Sequence, residues 1–180
     1  AGEPVLVGIA PDGPEQEYGW IETGPGVRPG LAPVAAFAEK PAASEARRLY
    51  RSGALWSSFV FSAGAEMLVR RIERSLPELV RELRACRRSL ARLERAYAAL
   101  PPADFSRHVL EADPRGLLVV AAPPCGWTDL GTPSRVASCL RSLERERPSA
   151  HRGSTPNLRA ALVDLRTSLL RAAGMVPAVG

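Results

Sequence analysis

Four short segments place polar groups at the ends of apolar runs: Tyr18-Gly19-Trp20-Ile21, Phe37-Ala38-Glu39-Lys40-Pro41, Trp56-Ser57-Ser58-Phe59-Val60-Phe61 and Gly126-Trp127-Thr128-Asp129-Leu130-Gly131. Strand ends are where open α/β sheets bind ligands. The Glu39-Lys40 pair says most. Lys40 is the sole lysine of a chain that otherwise uses arginine. An ammonium is a compact point charge that can approach a phosphate oxygen, whereas a guanidinium is a wide planar fork. Glu39 beside it can accept hydrogen bonds from sugar hydroxyls. The plainer reading of the pair is an exposed ion pair at a strand end. Asp129 follows a buried strand in an irregular loop. A carboxylate there suits Mg²⁺, which takes one or two carboxylates plus substrate phosphates. The plainer reading is an aspartate satisfying turn amides. Gly19 either lets a ligand approach the backbone or marks a bulge.

Those segments need elements to hold them. Residues 4–10 (PVLVGIA), 18–23 (YGWIET), 34–40 (VAAFAEK), 55–62 (LWSSFVFS) and 116–122 (GLLVVAA) read as strands. The second and third are expected to pair across the Gly/Pro-rich connection 24–33. Helical spacing of apolar residues, with turn and capping signals, predicts helices near 44–53, 63–76, 77–100, 104–111, 133–147 and 157–173, with a polar break at 151–155. Strands and helices alternate, so the fold class is α/β. No GxGxxG or GxxxxGK[ST] phosphate loop occurs. Either the function needs none, or the half that carries it lies outside this chain.

Composition removes several classes. A chain of 180 residues, 46% hydrophobic and 24% charged, is an ordinary globular sequence with enough length for a core without disulfides or metals. No apolar run is long enough to span a membrane, and no signal peptide is visible. The net charge of 24 − 19 = +5 invites a nucleic-acid reading. That reading is set aside, because the positive charge is almost all arginine. Many of these arginines sit three or four positions from glutamates, as on a solvated helix face. Cys86, Cys125 and Cys139 form no CxxC pair, so no zinc site is expected. Three reduced thiols in a cytoplasmic protein is the simplest account.

Taken together, in this order and spacing, the segments resemble the second half of the catalytic domain of sugar-1-phosphate nucleotidyltransferases, with the nearest likeness to mannose-1-phosphate guanylyltransferases. That family shows GI-P and P-E-x-YGYI, then F-x-EKP, W-N-S-G-x-F, a helical insertion and W-x-D-x-G. This sequence reads GIAPDGPEQEYGWI, FAEKP, WSSFVF and GWTDLG. The resemblance runs from about Val5 to Val136. It implies a mixed, mostly parallel sheet with flanking helices, lacking the Gly-rich N-terminal half. It implies a reaction joining a nucleoside triphosphate, GTP by this likeness, to mannose 1-phosphate, with Mg²⁺ as cofactor. Tyr18 and the Gly19 backbone would contact the sugar, Glu39 its hydroxyls and Lys40 its phosphate. Ser57, standing where the family has asparagine, would belong to the sugar-phosphate site with a shorter polar group that bears on sugar choice, and Trp56 and Trp127 would wall that site or simply belong to the core. Lys40 and Asp129 would be the catalytic pair, with Asp129 matching the second of two metal-binding aspartates. Phe59 stands where the family has glycine, a difference expected to bear on sugar choice.

The expected organisation is residues 1–147 as the second half of a nucleotidyltransferase catalytic domain, with a helical insertion at about 63–111. Residues 148–180 would form a helical extension. The chain alone is expected to have little activity, and to pair with an N-terminal half or with itself. The competing reading is a non-catalytic relative that binds a sugar phosphate or a partner chain.

Overall fold

The computed structural model describes residues 3–26, 30–86 and 89–145. Its strands are β1 (Val5–Ile9), β2 (Gly19–Thr23), β3 (Leu31–Glu39), β4 (Leu55–Ser62) and β5 (Leu118–Ala121). Its helices are α1 (Ala43–Arg51), α2 (Ala65–Ser75), α3 (Pro77–Cys86), α4 (Leu90–Ala99) and α5 (Pro133–Arg145), with one π-helical segment at Ser106–Glu111. The expected helix at 157–173 and the break at 151–155 lie outside the described residues.

The strands run β1–β4–β2–β3–β5, and β5 returns to β1 to close the sheet on itself. The sheet is mixed, as expected, but not mostly parallel. Among the described residues only the β1–β5 pairing is parallel, and the other ladders are antiparallel. Parallel neighbours need a long crossover. Here β1 and β5 are separated by all the intervening elements, whereas β2 turns back into β3 through a short link. That expected β2–β3 pairing forms, with Gly19 opposite Glu39 and Ile21 opposite Phe37.

Apolar side chains of the strands fill three clusters, the smallest made of Val5, Val7 and Val120. Leu6, Ile21, Val34, Phe37 and Val119 pack with Leu110 and Leu117. Tyr18, Trp20 and Trp56 pack with Ala46, Leu49 and Ala54, so α1 covers the end of the sheet that carries the Tyr18 segment. β1 and β4 approach closely at Gly8, where a Cβ would lie 2.5 Å from Leu55 Cδ1.

The helical insertion is thinly buried. α3 and α4 bury no side chain, and α2 buries only Arg71. The single helix expected over 77–100 is two, because the Ser89 hydroxyl caps α4 by accepting the Arg92 amide at 3.4 Å. The short helix expected at 104–111 forms as the π-helical segment, which buries Ser106, Val109 and Leu110. Arg71 ties the insertion to the sheet. Its guanidinium donates to the carbonyls of Asp113 and, at 2.6 Å, Arg115, in the turn that leads to β5. Among the described residues no helix is long and apolar enough to cross a membrane.

Candidate functional site

The start of β2 and the end of β3 meet at a cleft of about 440 Å³. Gly19 and Glu39 lie opposite each other in the ladder and both line it. A Cβ on Gly19 would stand 2.8 Å from Glu39 Oε2 and 2.9 Å from Phe37 Cζ, so only glycine leaves that carboxylate its place. Burial raises the Glu39 carboxyl above the usual glutamate range, and the Asp104 charge adds to this. Ser106, Lys40 and Arg107 act the other way.

Lys40 follows directly, in the left-handed region at φ 49°. Its amide donates to the Tyr18 carbonyl at 3.2 Å, extending the ladder by one bond. Its ammonium is exposed and stands 4.0 Å from Glu17 Oε2. Glu17 lines the cleft and the Lys40 side chain does not, so Lys40 sits at the rim. The exposed ion pair and a rim position for a phosphate ligand are thus compatible.

Ser57 and Phe59 line the opposite wall, on a bulge of β4. Leu6 pairs with Phe61 and Gly8 with Ser57, so the single residue Val7 faces Ser58, Phe59 and Val60. The Ser58 hydroxyl holds the bulge by donating to the Val7 carbonyl at 2.7 Å. Phe59 is left-handed at φ 58° and 60% exposed. This backbone is the kind glycine adopts without strain, which accounts for the glycine that the resembling motif carries there. The Phe59 ring meets Phe61 and Phe105 edge-on, with centroids 6.4 and 6.2 Å away.

Tyr18 and Trp127 form a wall shared with a second cleft of about 560 Å³. Their rings pack edge-on at 5.5 Å. Trp56 is 7% exposed, packs edge-on against Tyr18 at 4.8 Å, and lines the second cleft rather than the first. It is a core residue, set apart from the Gly19–Glu39 cleft.

Asp129 also lines the first cleft. Its Oδ1 accepts from Arg135 Nη1 at 2.6 Å, from the Tyr18 hydroxyl at 3.2 Å and from the Gly131 amide at 3.2 Å. The turn-amide reading is therefore realised, and an arginine is added to it. Arg135 Nη2 reaches Glu15 Oε2 at 2.6 Å, and the guanidinium lies 4.1 Å from the centre of the Tyr18 ring. Burial alone would raise the Asp129 carboxyl, but the Arg135 hydrogen bond, the Gly131 amide and the Arg135 charge take it below the usual range. Glu15 moves the same way: burial is outweighed by Arg135 and by the amides of Glu17 and Gln16. Burial raises the Tyr18 hydroxyl.

Mg²⁺ needs oxygen ligands that are open to it. Asp129 Oδ1 is already held by a guanidinium and two neutral donors, so the residues present do not fit a divalent cation bound through that oxygen as they stand. Among the described residues no group of three or more His, Cys, Asp or Glu side chains is placed to hold a metal.

The sequence reasoning missed two groups. Asp104 and Ser106 line the first cleft from the segment just before and within the π-helix. Asp104 lies two residues after the double proline Pro101-Pro102, a stop-and-cap signal that points to a helix start and not to a site. Arg135 and Glu15 were hidden among many surface charges. The spacing of Arg135, six residues after Asp129 at the start of a helix, was the available clue.

The profile of the nucleotidyl transferase family matches residues 1–146, and the chain belongs to that family. Two of its relatives are mannose-1-phosphate guanylyltransferases. That of Salmonella typhimurium is 31% identical and that of Escherichia coli K12 30% identical, each over 147 residues and 73% of this chain. The chain spans about 30% of the length of these relatives. Among solved structures, a mannose-1-phosphate geranyltransferase from Thermus thermophilus superposes with a TM-score of 0.56 at 32% identity, over 67% of this chain and 35% of that one. A mannose-6-phosphate isomerase from Helicobacter pylori gives 0.59 at 20% identity, over 71% and 52%, a likeness of fold alone.

Proposed function

We propose that this chain is the sugar-phosphate side of a mannose-1-phosphate guanylyltransferase, serving nucleotide-sugar biosynthesis. In the overall reaction a phosphate oxygen of mannose 1-phosphate attacks the α-phosphorus of GTP. The α–β phosphoanhydride bond breaks, and GDP-mannose and pyrophosphate form. Such transfer depends on positioning and charge neutralisation more than on covalent work by the protein. The observation that carries the reading is the juxtaposition of Gly19, Glu39 and Lys40 at one end of the β2–β3 ladder.

In this reading the sugar lies in the cleft over Gly19, close to the backbone. The half-buried Glu39 accepts its hydroxyls, and Trp127 with Tyr18 closes one side. The phosphate points to the rim, where the Lys40 ammonium meets it. Residues 1–147 are the second half of the catalytic domain, 63–111 its helical insertion and 148–180 an extension. In this reading the residues described hold the sugar phosphate and are not assigned the triphosphate.

A second reading is a binding module of the same family without catalysis. The Arg135 contact on Asp129 favours it, because that contact occupies the carboxylate on which the family likeness places a metal.

Calorimetric titration of the chain with mannose 1-phosphate, mannose and inorganic phosphate tests the binding assignment. Saturable heat is expected for the sugar phosphate, with at least about tenfold weaker binding of either fragment. Equal binding of phosphate alone would contradict a role for Glu39 and the cleft.

A further inference from the structure

We propose that Arg135 is the resident cation of this site: its guanidinium bridges Asp129 and Glu15 where a metal ion would otherwise bridge them, so these carboxylates take no divalent cation while Arg135 is in place. The expectation of a metal here rests on the proposed function. The bridge itself does not.

The bridge is a built feature. Arg135 makes one 2.6 Å contact to each carboxylate, and only 15% of its side chain is exposed. The ring face of Tyr18 supports the guanidinium at 4.1 Å, a cation–π contact that strengthens as water is excluded. The Tyr18 hydroxyl binds Asp129, so ring, carboxylate and guanidinium hold one another in a closed set. Glu15 is fixed in turn by the amides of Gln16 at 2.8 Å and Glu17 at 3.2 Å.

Charge and chemistry both disfavour adding a metal. A guanidinium stays protonated at any working pH, so a second cation on the same oxygen stands directly beside a like charge. Magnesium also dehydrates reluctantly and needs oxygen ligands, while Asp129 Oδ1, the oxygen that faces Arg135, already accepts three donors. Arg135 is the third residue of α5, which opens with Pro133. The helix start therefore fixes where its side chain leaves the backbone, and the loop 123–131 brings Asp129 to it.

The consequence is specific. Neutralising Arg135 leaves two carboxylates facing one gap beside Tyr18, and a latent cation site appears. The test is Mn²⁺ binding by electron paramagnetic resonance, with the 180-residue chain as it exists. The wild type should deplete the free Mn²⁺ signal no more than Asp129→Asn does. Arg135→Ala and Arg135→Gln should each bind Mn²⁺ at least about tenfold more tightly than wild type, and adding Asp129→Asn should abolish the gain. Near-UV circular dichroism of the Tyr18–Trp56–Trp127 cluster reports whether each variant keeps its fold. Glutamine retains length over the Tyr18 ring without charge, so it serves if alanine does not fold.

Wild-type binding that exceeds that of Asp129→Asn would overturn the proposal, and that comparison needs no arginine variant. A folded, charge-neutral variant with no gain would overturn it too. Titration of wild type with mannose 1-phosphate, with and without EDTA, separates this claim from the proposed function. Failure to saturate in either condition sinks the sugar-phosphate reading and leaves the Mn²⁺ comparison to judge Arg135. Binding that EDTA removes overturns the resident-cation claim, and binding that survives EDTA supports it.

Discussion

Gly19 and Glu39 face each other across the β2–β3 ladder, and the missing Cβ of Gly19 is the space that the Glu39 carboxylate occupies. A methyl there would stand 2.8 Å from Oε2 and 2.9 Å from the buried Phe37 ring. The glycine thus does not mark a bulge, because the ladder register runs regularly from Gly19 to Glu22.

Gly19→Ala should therefore damage both fold and site. The carboxylate can swing away, but Phe37 belongs to the inner core. Overpacking of this type costs about 1–3 kcal/mol, measurable as a lowered urea midpoint at constant slope. Glu39→Ala in the same background should recover less than half of the loss, since it removes only one of the two clashes.

Phe59 gives an inverted glycine preference. In an ordinary strand, alanine beats glycine by about 0.5–1 kcal/mol. At φ 58° a side chain is strained by about 1–2 kcal/mol. Phe59→Gly should then be more stable than Phe59→Ala by about 1 kcal/mol, although both lose the ring contacts to Phe61 and Phe105. Paired chemical denaturation curves check the sign.

Two sets of carboxyls act on stability in opposite senses. Burial holds the Glu39 carboxyl above its ordinary range. The folded chain therefore keeps that proton to higher pH than the unfolded chain does, and stability falls as pH rises between the ordinary and the raised value. Asp129 and Glu15 are held low by Arg135 and backbone amides against the effect of burial. Their contribution is present above the ordinary carboxyl range and is lost as pH falls through the lowered values. Glu39→Gln should remove the first effect and keep the second. Melting temperatures from about pH 3 to pH 7 should show a flatter upper part of the curve and an unchanged acid limb.

Arg71 ties the helical insertion to the turn before β5. It is 2% exposed and donates to two carbonyls of the turn before β5. Arg71→Ala should cost about 1–3 kcal/mol, because two carbonyls of the turn lose their charged donor. Lysine should restore little, since one ammonium cannot reproduce a planar fork. Thermal melts of both variants test this.

Much of this architecture was legible in the residues. β1 and β4 fall within the runs PVLVGIA and LWSSFVFS, because each is a short apolar run bounded by Pro, Gly or Ala turns. Gly19, Glu39, Ser57, Trp127 and Asp129 do converge on one cleft. What escaped depends on contacts distant in sequence. The α3–α4 break hides inside a continuous apolar stripe, where one serine cap outweighs periodicity. The antiparallel ladders follow from strand order, which local pattern does not encode. Trp56 and Trp127 look alike in sequence, yet one is core and the other lines the cleft. Arg135 is one arginine among many, and only its partners Asp129, Glu15 and Tyr18 set it apart.

Phosphorus NMR of mannose 1-phosphate titrated with wild type and with Lys40→Ala tests the central claim most directly. Lys40 is exposed and pairs only loosely with Glu17, so its removal should leave the melting temperature unchanged. A saturable shift and broadening of the phosphate resonance is expected with wild type, with binding weakened at least about tenfold in Lys40→Ala. An unperturbed resonance with wild type, or an equal perturbation by both proteins, would contradict it.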